Sequence, residues 1–259
     1  MERRSSGSRL DRVRDVARRY APESIKRAAR RSRWLASAPP VGRVRFGDLR
    51  RTTPVASDFG YRRGGPVDRH YIEGFLEQHR ADVRGRVLEV GDSEYTRRYG
   101  DERVIVADVL HVDPDADEAT FVGDLADWRF LPDDTFDCII LTQTLHLIYD
   151  FAAALRTVSR ILAPGGVLLM TVPGITNIDA DEWGSTWHYS FSPHSVRRMC
   201  ADAFDGFDVA VTSHGNVLAA VAFLHGLSAA ELTETELDTR HVEYSLIHAA
   251  RVQKPDTSG

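Results

Sequence analysis

Lysine is almost absent from this chain. Among its 33 basic residues only Lys26 and Lys254 are lysines, and the rest are arginines. Cysteine is as scarce, with Cys138 and Cys200 alone. Two cysteines give neither a disulfide framework nor a zinc-ligand pattern. Cys138 lies inside an apolar run and reads as a small core residue rather than a nucleophile. Long hydrophobic runs are missing too. The longest, Val217 to Leu224, is far too short to span a bilayer. The first residues lack the apolar stretch of a secretory signal, so a soluble, cytoplasmic protein is expected. No internal repeat is visible.

Charge is abundant and unevenly placed. Residues 1–51 hold 16 Arg/Lys against 5 Asp/Glu, a balance of +11, and the remainder carries −16. A basic arm on an acidic body suits an anionic membrane surface, an acidic partner or nucleic acid, or a solvated helix that packs on its own acidic domain, and the last is expected over nucleic acid. The arm has no nucleic-acid motif and only Tyr20 and Trp34 as aromatics before Pro39, so nucleic acid is not expected. Leu10, Val13, Val16 and Ala17, then Ile25, Ala28, Ala29 and Trp34, recur at helical spacing and end at Pro39-Pro40. Residues 1–40 are therefore expected to be a basic helical arm. It would serve as a lid, a peripheral membrane contact, a partner contact or a homodimer contact.

Residues 41–80 combine a loop rich in glycine with a helix. Val44 to Arg51 suggests a short strand or extended piece. Pro66 to His79 reads as a helix with Tyr71, Ile72, Phe75 and Leu76 apolar. Such a segment can cover a ligand from above.

The organising stretch comes next. Arg86-Val-Leu-Glu-Val-Gly91 reads as a buried strand that ends on an acid and breaks at a glycine. Strands follow at Arg103–Ala107, Thr120–Asp124, Phe136–Thr142, Val167–Val172, Phe207–Thr212 and Tyr244–Val252. Helices are expected at Phe151–Leu162, at Ser192–Ala203 with Ser192 as N-cap, and within Gly215–Leu227. Ala163-Pro-Gly-Gly166 reads as a helix stop. Strands alternating with helices imply right-handed βαβ units and a parallel sheet. Ligands then bind beyond the carboxyl ends of the strands, near Glu89 and Gly91. No Gly-x-Gly-x-x-Gly follows the first strand, which argues against a nicotinamide dehydrogenase.

Four pieces together resemble the class I S-adenosylmethionine-dependent methyltransferases. They are Val-Leu-Glu-Val-Gly at 87–91, Phe-Val-Gly-Asp-Leu at 121–125, Leu-Pro-Asp-Asp-Thr-Phe-Asp-Cys-Ile-Ile at 131–140, and the segment from Leu155 to Gly174 around Ala-Pro-Gly-Gly. Residues 45–51, 66–76 and 215–226 further resemble methyltransferases of glycan and natural-product biosynthesis clusters. The resemblance implies an α/β, Rossmann-like class I methyltransferase fold, with a mostly parallel seven-stranded sheet and helices on both faces. Its core would be a methyltransferase domain at residues 81–254, with a tail at 255–259.

The resemblance also implies a cofactor, S-adenosyl-L-methionine, with S-adenosyl-L-homocysteine as product. Glu89 would meet the ammonium of its amino-acid tail, and Gly91 would let the backbone approach it. An acid ending the second strand would take the ribose hydroxyls. Asp108 ends the apolar run, whereas Asp113 fits better when counted back from Asp124, and the reading leans to Asp108. Asp124 would accept from the adenine amino group and Leu125 would offer its N–H. Thr142 and Gln143, with Thr144, would face the methionine portion and the acceptor. Where the family carries further glycines this chain has Ser93 and Tyr95. The loop must take another path, with Ser93 or Tyr95 bonding the cofactor.

O-methylation of a sugar hydroxyl or a glycosylated natural product is the expected reaction, and a small-molecule or saccharide acceptor the expected partner. A hydroxyl needs a general base as it is methylated, and histidine suits that role. His146, after the fourth strand, and His188, in the loop after the fifth, stand where a base belongs. His194 reads as structural. Tyr71, Trp183, Trp187 and Tyr189 could stack on the acceptor. Asp179, Asp181, Glu182 and His188 are ligand types that suit magnesium, but the composition is ordinary for a solvated loop and no metal is expected.

Overall fold

The computed structural model describes residues 38–179 and 183–256. The expected arm at 1–37 and the candidate ligands Asp181 and Glu182 lie outside the described residues. The chain divides into two compact units, Met1–Arg51 and Thr52–Gly259. In the described part of the first, Val44–Arg51 is not a strand. Gly47 takes φ +55 and starts a single 3-10 turn, Gly47–Leu49, with Arg50 over the Phe46 ring at 5.1 Å.

The second unit is a seven-stranded sheet with helices on both faces. Its elements are α1 (Val67–Gln78), β1 (Gly85–Val90), α2 (Glu94–Gly100), β2 (Val104–His111), β3 (Phe121–Val122), β4 (Phe136–Thr142), α3 (Phe151–Ile161), β5 (Leu162–Pro173), α4 (Pro193–Ala203), β6 (Asp208–His214), α5 (Val217–Leu224), α6 (Glu234–Asp238) and β7 (Ile247–Gln253). The strand order is β3-β2-β1-β4-β5-β7-β6. All neighbours pair in parallel except β7, which runs antiparallel to both β5 and β6.

The central strands are covered on both faces, which explains their unbroken apolar runs. Leu88, Ile139, Leu141 and Met170 face one layer, under Leu155 and Val158 of α3 and Val196 of α4. Val87, Cys138, Ile140 and Leu169 face the other, with Ile72 and Phe75 of α1 and Phe223 of α5. Cys138 is fully buried, and burial pushes its thiol well above the usual range. Ser192 caps α4 through a reciprocal pair with Ser195.

Two boundaries differ from expectation for physical reasons. β5 begins at Leu162, so Ala163-Pro-Gly-Gly166 lies inside the strand as an irregularity against β4. A Cβ on Gly166 would stand 2.8 Å from the Phe136 carbonyl oxygen, so glycine is required there. β2 continues through Asp108-Val-Leu-His111 because the carboxylate does not stop it. Asp108 is buried and accepts from Arg86 Nε of the adjacent strand at 2.6 Å.

Beyond β7, Lys254 reaches back under α3. Its ammonium donates to the carbonyls of Ser159 at 3.0 Å and Leu162 at 2.7 Å, and to Asp134 at 2.7 Å. A cation here satisfies carbonyls left open at a helix C-terminus.

Candidate active site

The strand order reverses between β1 and β4, and the carboxyl ends of these two strands border that point. In an open α/β sheet that is where a ligand crevice forms. Gly91 closes β1 with φ +109, and a Cβ there would have no heavy atom within 4 Å. The backbone therefore borders open space, as close approach of a ligand requires.

Glu89 is buried and bound from below. Its carboxylate accepts from Tyr95 N at 3.1 Å, Thr96 N at 2.7 Å and Thr96 Oγ1 at 2.7 Å. It thus holds the first turn of α2 to the end of β1. Burial pushes its carboxyl up to about 7, against the downward pull of these donors. Both oxygens accept from the protein, with three bonds in all, at the turn where the sequence places the ligand ammonium.

Ser93 and Tyr95 are likewise committed. Ser93 Oγ donates to Glu118 at 2.6 Å, and Arg97 donates to the same carboxylate at 3.0 Å. Tyr95 Oη accepts from Arg69 Nη1 at 2.9 Å, and Arg69 Nη2 donates to Tyr61 Oη at 3.1 Å. Side-chain bonds therefore fix the turn that further glycines would otherwise shape.

The two candidate acids of the second strand stand in different settings. Asp108 sits in mid-strand and is spent on Arg86. Asp113 lies just beyond the end of β2, in a turn where Asp113 N donates to His111 Nδ1 at 2.9 Å. Asp124 is exposed after β3 and accepts from Ala126 N at 2.8 Å, while the Leu125 side chain is buried. Gln143 takes φ +48, an uncommon conformation for a non-glycine residue. Its amide N donates to Thr171 O at 3.0 Å and its Nε2 to Thr171 Oγ1 at 3.2 Å, tying the ends of β4 and β5 together. Thr142 is half-buried at the tip of β4.

His146 stands in the 3-10 turn Leu145–Leu147 just after β4 and is 2% exposed. Neither ring nitrogen has a hydrogen-bond partner, and burial pushes its pKa down to about 4. The Trp187 ring lies 4.4 Å from it, and Trp187 Nε1 is also without a partner. Phe59 stacks on the other side of Trp187 at 6.5 Å. The His146 carbonyl accepts from His188 N and Tyr189 N, so the same residue anchors the loop that covers it.

The remaining aromatics divide. His188 is exposed, with its ring edge-on to Tyr149 at 5.3 Å. Tyr189 donates to the Tyr149 carbonyl at 2.9 Å and packs on Phe151 and Phe191. Trp183 is 37% exposed, and its carbonyl accepts from Thr186 N in a tight turn. Tyr71 is packed in the core, and its hydroxyl donates to Leu237 O at 2.9 Å. Among the described residues no group of three or more His, Cys, Asp or Glu could hold a metal ion. No helix of these residues is long and apolar enough to cross a membrane.

Sequence reasoning missed Asp68 and Arg69, at the start of α1. Asp68 Oδ1 is buried without a partner. The signal was present: an acid and a base side by side, directly ahead of an apolar helix face.

This sheet order, with β7 alone antiparallel to its neighbours, defines a class I methyltransferase architecture. A family model described as "Methyltransferase domain" matches residues 66–209, more than half of the chain, and the chain belongs to that family. Among curated relatives, 90 residues are 38% identical to the ubiquinone/menaquinone biosynthesis C-methyltransferase UbiE of Proteus mirabilis. They cover 35% of this chain and 30% of that enzyme. The enzyme of the same name from Teredinibacter turnerae is 38% identical over 103 residues, 33% of this chain and 41% of that one. The matched stretch thus spans less than half the length of these relatives. Among solved structures, the chain is similar to the N-methyltransferase NodS of Bradyrhizobium japonicum in complex with S-adenosylhomocysteine. There the identity is 16%, the TM-score 0.49, and the coverage 78% of this chain and 95% of that one.

Proposed function

We propose that the chain transfers a methyl group to a hydroxyl of a sugar or a glycosylated natural product. The observation that carries the reading is His146, an uncharged, buried imidazole with both nitrogens unpartnered beneath an aromatic cover. The cofactor supplies an electrophilic methyl carbon on a sulfonium. An acceptor oxygen that takes it becomes a strongly acidic oxonium, so even a weakly basic imidazole can receive the proton. Trp187 shields that exchange from water. The exposed rings of Trp183, Tyr149 and His188 offer flat faces for the C–H face of a sugar. The choice of a sugar leans on the sequence resemblance of residues 45–51, 66–76 and 215–226.

In this reading Gly91, Asp113, Asp124, the Leu125 N–H, Thr142 and Gln143 would hold the cofactor. Asp113 would take the ribose diol and Asp124 the adenine amino group. Asp113→Asn is then expected to weaken S-adenosylhomocysteine binding tenfold or more by calorimetry. Asp108→Asn should leave that affinity within twofold and instead lower the melting temperature, since its partner is Arg86. The +11 charge of residues 1–51 suits an anionic membrane face, a partner enzyme or a second copy of the chain.

A second reading, C-methylation of an aromatic ring, is favoured by the match to enzymes named as C-methyltransferases. Other non-sugar O- or N-acceptors, or a non-catalytic partner subunit, complete the alternatives. The test offers the enzyme and S-adenosylmethionine a panel of sugars, glycosides and hydroquinones, and locates any added methyl by mass spectrometry and NMR. A methyl on sugar oxygen supports the proposal. A methyl on ring carbon, or cofactor binding with no turnover on any acceptor, overturns it.

A further inference from the structure

Asp68 is a buried carboxylate whose Oδ1 has no hydrogen-bond partner. At 9% exposure its desolvation is costly, and the adjacent Arg69 charge and nearby backbone N–H groups offset only part of it, so the open oxygen can take a further donor. Beside it, Arg69 is a half-buried guanidinium whose bonds go to two neutral phenols, Tyr95 at 2.9 Å and Tyr61 at 3.1 Å. Nearby arginines are served differently. Arg98 holds Glu73 at 2.7 Å, and Arg63 holds Glu231 through Nε at 3.0 Å. Among the described residues Arg69 has no carboxylate within ion-pair distance, although a guanidinium presents five donors in a fork that matches one.

The position of this pair is fixed relative to the crevice. Tyr95, which holds Arg69, opens α2, and its own backbone N–H is held by Glu89 at the end of β1. Arg69 is thereby linked to the turn that begins at Gly91. Two neighbouring residues, which interact with each other electrostatically, thus present an acceptor oxygen without a hydrogen bond and a guanidinium bonded only to phenols, and Arg69 ties them to the turn after β1. A group with an ammonium and a carboxylate on one carbon satisfies both. Glu89 already accepts three hydrogen bonds from the protein, whereas Asp68 Oδ1 accepts none.

We infer that Asp68 and Arg69 grip the amino-acid end of the cofactor, Asp68 accepting from the ammonium and Arg69 donating to the carboxylate. The inference rests on the cofactor reading and assigns a subsite within it. It also accounts for the missing glycines. The turn after β1 is bound by Ser93, Tyr95 and Glu118, and recognition of the tail passes to α1.

The experiment measures affinity by calorimetry for S-adenosylhomocysteine and for 5′-methylthioadenosine, which lacks the amino-acid tail. Wild type should prefer the former by a hundredfold or more. Asp68→Asn and Arg69→Gln should each cut that preference at least tenfold, while affinity for 5′-methylthioadenosine stays within threefold. Arg69→Lys, which keeps the charge and loses the fork, should fall between. Unchanged 5′-methylthioadenosine binding certifies the fold of each variant. Preference retained in both variants, or lost selectively in Glu89→Gln, overturns this inference alone. No wild-type binding of S-adenosylhomocysteine overturns the cofactor reading and the inference together.

Discussion

His146→Gln is expected to lower kcat by about two to four orders of magnitude, the range for loss of a positioned general base. Its affinity for S-adenosylhomocysteine should stay within threefold. The imidazole is 2% exposed and its nitrogens meet no protein donor or acceptor, so the substitution breaks no hydrogen bond of the fold. Glutamine fills similar space but cannot take a full proton. His188→Gln provides the contrast: its ring is exposed against Tyr149, and less than a fivefold loss is expected. Initial rates of S-adenosylhomocysteine formation on the acceptor found by screening decide between them. The pH dependence carries a sign. With a pKa pushed down to about 4, His146 is neutral through the physiological range, and wild-type kcat/KM should fall only as pH drops toward that value. Stability follows the same direction. The unfolded chain takes up this proton near 6.5 and the folded chain only near 4, so stability present above pH 6.5 is lost as pH falls through that window. Buried His214, also pushed down to about 4, adds to the loss.

Phe136→Ala is expected to cost about 3–5 kcal/mol of unfolding free energy, the usual range for a fully buried aromatic. Urea denaturation followed by circular dichroism should show a lower midpoint with a nearly unchanged slope. Phe136 is 0% exposed at the start of β4. Its ring meets Phe121 of β3 edge-on at 6.1 Å and lies under the Arg86 guanidinium at 5.4 Å. Arg86 in turn holds Asp108 across to β2. One ring thus supports three neighbouring strands, β4, β1 and β2, and touches the short β3. A loss under 1 kcal/mol would show that the Arg86–Asp108 pair carries this edge without it.

The central strands were legible because burial on both faces leaves an apolar run that no surface element shares. β4 was read at both ends, since Asp134 and Thr142 mark changes of polarity that coincide with changes of structure. β2 was cut short at Asp108 because a carboxylate in an apolar run looks like a terminus. The arginine that neutralises it is 22 residues away on another strand, and sequence spacing does not reveal such a partner. The same blindness affected the site. Glu89, Ser93 and Tyr95 were placed at the right turn, but whether a polar side chain faces a ligand or the protein depends on the donors around it. Tyr71 followed the apolar stripe of α1 correctly, and the stripe led into the core. Asp68 and Arg69 went unnoticed because charge at a helix start ordinarily means solvent.

The scarcity of lysine gives the ammonium of Lys254 a use as a reporter. It is the one lysine among the described residues, and its nitrogen is held by backbone carbonyls at the end of α3 and by Asp134. Amine-reactive reagents reach it only when those bonds open. Its acylation rate, followed by mass spectrometry, would therefore clock the parting of β7's end from α3, with no label to introduce and one other lysine, Lys26, to separate by peptide mapping.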